Sequence, residues 1–390
     1  MNRNSVPISR SLHIHYLFSS PQGDVSVDKD LLARPFLLSP MSEHPTLRLG
    51  DYFEAIEQFI VQDEAKPLLR LLGRNRKSPV QIEGIAEILI RSEKHGGLYH
   101  LASVEVRGPG MQEKFVVSTA VSERSREWLT REFGILKTLH ESFALPYVPE
   151  VYWLGEEDRK EDENPFLMML GEWFEDYHEW HLHKNASGEP YPVIWDFAKG
   201  YRRAEEGEAF EIYRQASFIL TLYYDLKSTN HIYPWLHAAG DFIVKSEYGL
   251  VQVRLTTVRG YEPFIIFQSH EDTNPVSALI CFFLNLTIRM RLDRWEGVGG
   301  IAWAADPCIR PTVEGFFQAL HKMEVEGRYE LGKVRDLLSL LKRFQPEELL
   351  SLATPLLDLY RAEDREALAV VEENLGNHCR SLFSVVQDLP

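Results

Sequence analysis

FEIYRQASFILTLYYDLK, residues 210–227, runs directly into STNHIYPWLHAAGD, residues 228–241. In the first segment Phe210, Tyr213, Phe218, Leu220 and Leu222 make a thick apolar surface, which predicts a helix buried over most of its circumference. In the second, Asn230 and Pro234 stop that helix. His237 then leads through Ala238, Ala239 and Gly240 to Asp241, the small residues of a tight loop. FIVK (242–245) and LVQVRLTTV (250–258) predict a strand pair that turns at Glu247-Tyr248-Gly249.

Upstream, three runs predict an antiparallel meander: Ile85 to Arg91, Tyr99 to Arg107 and Lys114 to Val121, with turns at His95-Gly96-Gly97 and Gly108-Pro109-Gly110. A helix follows an N-cap at Ser122, with Trp128, Leu129, Phe133, Leu136 and Leu139 as its apolar stripe. VPEVYWLG and PFLMMLGEW predict two more strands on either side of the acidic run EEDRKEDEN (156–164). Residues 1 to about 45 read as an extended arm. LGDYFEAIEQFIVQD reads as a helix capped by Asp51, and KPLLRLLGRNRK as a second helix ending at Gly73 with basic residues near its C-terminus. Beyond the strand pair the chain turns helical, with Pro346 suited to a first helical position and Pro355 to a break.

Composition limits the function. The 390 residues carry 58 acidic and 42 basic side chains, a net charge of −16, which opposes sequence-independent binding to nucleic-acid backbones and favours a basic partner. Three separated cysteines (281, 308 and 379) suggest neither a disulfide framework nor a zinc ribbon, and fit a cytoplasmic setting. The N-terminal MNRNSVPISRSLHIHYLF does not read as a signal peptide. VSALICFFLNLTI, at ~13 residues, is too short for the ~20 a membrane span needs, so no membrane partner is expected.

Three strands, a helix, two strands, a hinge at Leu170-Gly171-Glu172-Trp173, and later Leu236-His237-Ala238-Ala239-Gly240-Asp241 before a strand pair: this order resembles the protein-kinase-like superfamily, especially its aminoglycoside and choline phosphotransferase branch. The resemblance implies an α+β fold of two lobes, with a small antiparallel β N-lobe at 81–172 and a larger, mainly helical C-lobe at 173–390. The arm and helical extension at 1–80 would precede them, and the loop and hairpin would fall at 230–264. The family's loop reads roughly H-G-D-L-H-P-G-N, with the Asp as base and the Asn as metal ligand. Here Asp241 falls at the metal-ligand position and Trp235 at the base. Where the next strand should end in a magnesium-binding Asp, the chain has Leu255-Thr256-Thr257-Val258-Arg259. Ser118 or Thr119 stands where the third strand's Lys is expected, Glu132 is the candidate helix Glu, and Gly171 and Glu172 mark the adenine-holding hinge. SEKHGGLYH lacks the G-x-G-x-x-G spacing.

Loss of the strand Lys, the base and one metal carboxylate should remove most phosphoryl-transfer rate. The expected function is therefore a pseudokinase, a binding or scaffolding module for a protein or small molecule. No cofactor is required in that reading; ATP and magnesium enter only if the cleft is functional. The alternative is an active phosphotransferase or nucleotidyltransferase in which His237 and Asp241 serve as base and metal ligand, with Asp225, Glu247 or Glu262 as a second carboxylate. A third reading, unrelated to kinases, is an assembly protein with a partner-binding helical C-terminal region. FEDYHEWHLHK, read as the start of a helix, gathers His178, His181 and His183, a set that could hold a metal although H-x-x-H-x-H fits no standard zinc pattern.

Overall fold

The computed structural model describes residues 12–20, 22–39, 42–74, 76, 79–95, 98–156, 166–196, 199–264 and 274–390. The start of the expected arm, the Gly96-Gly97 turn and all but the first residue of the acidic run 156–164 lie outside them. The chain divides into two compact units, residues 1–142 with 149–175, and residues 143–148 with 176–390. The arm and helical extension therefore belong to the first unit together with the meander.

In the first unit, β1 (Ile14–Phe18), β2 (Val25–Ser26), α1 (Lys29–Leu32), β3 (Pro35–Ser39) and β4 (Ser42–Arg48) come from the arm. Next are α2 (Leu49–Val61), α3 (Lys66–Gly73), β5 (Glu87–His95), β6 (His100–Gly108), β7 (Met111–Ala120), α4 (Glu123–Phe143), β8 (Val151–Glu156) and β9 (Leu167–Glu172). The main sheet has the order β2-β1-β5-β6-β7-β9-β8. Its β5 to β9 portion is antiparallel throughout, with α4 between the third and fourth of these strands, as the apolar patterning predicts. The arm extends the sheet, for β1 pairs in parallel with β5. Alternation sorts the meander into two faces. Ile88, Ile90, Val104, Val106, Phe115 and Val117 turn to the core shared with Phe53, Ile56 and Ile60 of α2. Each such fully buried side chain is worth roughly 1.5–3 kcal/mol. Asp51 is not the N-cap of α2: the helix starts two residues earlier, and the Asp51 carboxylate reaches back to accept the Arg48 N–H at 2.7 Å. Ser122 does cap α4, accepting from the Ser125 N–H at 3.2 Å.

The second unit holds β10 (His178–Lys184), β11 (Pro190–Asp196), β12 (Gly200–Arg203), α5 (Glu206–Leu222), β13 (His231–Ile232), β14 (Phe242–Glu247), β15 (Leu250–Leu255) and β16 (Tyr261–Glu262). It continues through α6 (Pro275–Arg289), β17 (Leu292–Arg294), β18 (Ile301–Trp303), α7 (Ile309–Val325), α8 (Val334–Leu341), α9 (Pro346–Ala353), α10 (Leu357–Glu363) and α11 (Arg365–Asp388). Pro346 does open α9, and a 3-10 turn at Thr354–Leu356 makes the expected break around Pro355. A second sheet has the order β12-β11-β10-β14-β15. Its first three strands correct the reading of residues 174–184 as the start of a helix. Trp180, His181 and Leu182 are all buried, and pairing with β11 and β14 rather than a period-2 burial pattern makes the segment a strand. At the β15 edge, the Gln215 side chain of α5 donates to the Val251 carbonyl at 2.7 Å and accepts from the Val253 N–H at 3.1 Å. The amide stands in for a neighbouring strand and blunts an edge that would otherwise invite pairing.

Helices α5 and α7 lie close enough that a Cβ on Gly315 would collide with the Arg214 carbonyl and approach the Phe218 nitrogen to 3.1 Å. The obstacle is backbone, so no side-chain movement relieves it. Gly315→Ala should lower stability by about 1–3 kcal/mol, read as a fall in the urea midpoint at unchanged slope.

Candidate functional site

The loop expected to carry chemistry is built from the end of α5 to β15. A 3-10 turn over His237–Ala239 closes on Gly240, whose φ of 70° is left-handed. That φ favours glycine, and a Cβ there would also come within 2.8 Å of the Glu179 carboxyl carbon, the movable end of a side chain. The Thr256 N–H donates to the Asp241 carbonyl at 2.7 Å and its hydroxyl to the Gly240 carbonyl at 3.1 Å, tying the end of β15 to the loop.

Asp241 is fully buried. One oxygen, Oδ1, accepts from Arg259 Nη2 at 2.6 Å; the other accepts from Arg259 Nη1 and, at 2.7 Å, from the Leu236 N–H. This bidentate pair commits both carboxylate oxygens, and the cation they meet is a guanidinium. His237 is 1% exposed and boxed by Trp180, Trp235, Phe242 and Tyr213. Neither of its ring nitrogens makes a hydrogen bond of good geometry. Burial pushes its pKa down to about 4, opposed by the Asp293 charge. His237 and Asp241 thus share a loop, but each is occupied by its own surroundings.

In the first unit, Ser118 pairs across β7 with Leu101 and Met169 and points away from α2, while Thr119 lies on the α2 side. The face that carries Ser118 also carries a buried ion network. Glu105, 4% exposed, accepts from Arg91 at 2.7 Å, Arg107 at 2.5 Å and Gln112 at 2.9 Å. Burial alone would push its carboxyl up, but hydrogen bonds from Arg107 and Arg91 outweigh that and hold it below the usual range. Glu132 is buried on α4 in the stripe with Leu129 and Leu136. Gly171 sits within β9, between Val116 and Val151, and a Cβ on it would approach the Glu150 carbonyl at 3.3 Å. Glu172 ends the same strand, and its carboxylate accepts from the Glu150 N–H at 3.2 Å.

The three histidines of β10 do not converge. Strand alternation puts His178 on one face and His181 and His183 on the other. His178 lies 3.5 Å from Asp196, while Trp195 donates to His183 Nε2 at 3.2 Å. Among the described residues no group of three or more His, Cys, Asp or Glu is arranged to hold a metal. His181 is 1% exposed and stands between Asp293 Oδ1 at 3.6 Å and Glu179 Oε2 at 3.4 Å. Burial pushes its pKa down, but the two carboxylates outweigh this and raise it. Arg259 and Asp293 are the residues that sequence reasoning missed. Arg259 was legible only as the wrong residue at a strand end, and nothing near Asp293 in the chain pointed to β10.

No protein-family model matches the chain, and no curated protein matches it in sequence.

Two expectations follow. Asp241→Ala removes the bidentate pairing with Arg259 and should cost about 3 kcal/mol, more than the ~1 kcal/mol of a lost loop cap, measured by chemical denaturation. Burial also holds His237 and His231 near 4, against an ordinary value of 6.5. Between pH 6.5 and about 4 the unfolded chain takes up protons that the folded chain refuses, so stability present above pH 6.5 is lost as pH falls through that window. His181 works in the opposite sense, its contribution complete below 6.5 and lost as pH rises through its raised pKa. Replacing the buried imidazole in His237→Phe should make the fall of melting temperature between pH 7 and pH 4 shallower than in the parent.

Proposed function

We propose that the chain is a kinase-like protein that does not transfer phosphoryl groups and acts as a binding or scaffolding module. The observation that carries this reading is the buried Asp241–Arg259 pair. In the phosphotransferase pattern a metal ligand on the loop and an Asp at the end of the following strand share magnesium. Here Asp241 stands at the first position, and near the second the chain supplies a permanent cation. A bidentate guanidinium neutralises the carboxylate and occupies both its oxygens, so magnesium has no advantage there.

Two further features support the reading. The β5-β6-β7-β9-β8 order with α4 inserted follows the strand and helix order that suggested the resemblance. On the sheet face where a kinase-like third strand presents its Lys, this chain has Ser118, and the Arg91–Glu105–Arg107 network satisfies its own charges. Without the strand Lys and with the metal position neutralised, the electrostatic stabilisation that phosphoryl transfer depends on is lost.

Thermal shift of the full chain with ATP, with and without magnesium, tests this directly. The expected result is a small shift or none, with little dependence on magnesium. A large magnesium-dependent stabilisation would mean that metal ligands lie elsewhere, and the reading would fail.

A further inference from the structure

The helical extension holds a feature that the proposed function does not use. Between α2 and α3 three consecutive non-glycine residues, Asp63, Glu64 and Ala65, have φ values of 51°, 61° and 57°. Left-handed backbone of this kind is costly outside glycine and persists where the surroundings impose it. The turn sets the direction of α3, which buries Leu68 and Leu72 against the core. Its other face carries Lys66 and Arg70 one turn apart, and Arg74 follows at the C-cap in the same series. Together with Arg76 they line an open cavity of about 440 Å³ whose apolar wall includes Leu69 and Val80.

Four cations around one cavity stand out in a chain of net charge −16. Their carboxylate partners do not close the site. Lys66 lies 3.5 Å from Glu64, Arg74 2.6 Å from Glu150 and Arg76 3.3 Å from Glu113, and those three carboxylate side chains are 71%, 40% and 47% exposed. Such surface pairs contribute little and exchange for a better anion at small cost. Arg70 is exposed on the cavity wall. The guanidinium of Arg74 lies 5.6 Å from the centre of the Tyr152 ring, a contact that limits its freedom before any ligand arrives.

We infer that this cavity binds a small phosphorylated molecule, the phosphate held by Arg70, Arg74 and Arg76 and an apolar or ring portion lying on Leu69 and Val80. Planar guanidinium forks match phosphate oxygens in pairs, and the volume lies within the ordinary range of small-molecule sites. The inference is independent of the proposed function, because it uses neither the loop at Asp241 nor the strand position of Ser118.

Calorimetric titration of the full chain with phenyl phosphate and, separately, inorganic phosphate, at low ionic strength and without competing oxyanions, tests it. Phenyl phosphate should bind, and more tightly than inorganic phosphate because of the apolar wall. Arg70→Gln, on an exposed helix face, should weaken phenyl phosphate about tenfold with an unchanged melting temperature, and Arg70→Gln with Arg74→Gln should weaken it further. Arg335→Gln, an exposed cation of the second unit, should leave binding unchanged. No binding of phenyl phosphate at millimolar concentration would overturn the assignment. So would equal weakening by Arg335→Gln, or unaltered affinity in the double variant.

Discussion

A carboxylate with no exposure to water must be neutralised where it lies, and Asp241 meets that requirement through Arg259 and the Leu236 N–H. The pair joins two segments 18 residues apart, the loop before β14 and the segment after β15. Thr256 binds the same loop through the Gly240 and Asp241 carbonyls. The hairpin between them is therefore closed by charge and by backbone at its open end. Around it the ring of His237 fills an aromatic box, and the Glu179 side chain lies close against Gly240. Loop, hairpin and β10 are fitted to one another by these contacts. A residue type associated with metal binding here closes a fold.

Two further buried charged groups follow the same logic. Glu105 is surrounded by Arg91, Arg107 and Gln112, and His181 by Asp293 and Glu179. Each of these buried charges has its countercharge inside the same unit, as the cost of burying an unpaired ion demands. The basic cavity beside α3 differs, because its cations and their carboxylates lie at the surface, where water lowers the cost of separating them.

The charges of Asp241, Glu105 and His181 are thus paired in the interior, whereas Lys66, Arg74 and Arg76 pair with exposed carboxylates. Among the described residues no helix is long and apolar enough to cross a membrane, and none of the three cysteines is in a disulfide. A net charge of −16 opposes a general affinity for polyanions, and the local cluster of Lys66, Arg70, Arg74 and Arg76 at and just after α3 runs against that balance.

The sequence alone determined the elements whose signals are local. Alternation gave the meander of β5, β6 and β7. Helical periodicity gave α2, α4, α5 and the C-terminal helices, and proline gave the opening of α9 and the break that follows it. These follow from backbone geometry over a few residues, and the residues that decide them are adjacent in the chain. The tertiary structure decided what depends on partners far away. It made residues 178–184 a strand by pairing them with β11 and β14, and it recruited β1 from the arm to lie parallel to β5. It also set Asp241 against Arg259 in a bidentate pair. A side chain's chemistry is set by what lies within a few ångströms of it, and for Asp241 that neighbour is 18 residues along the chain, brought back only by the closing of the hairpin.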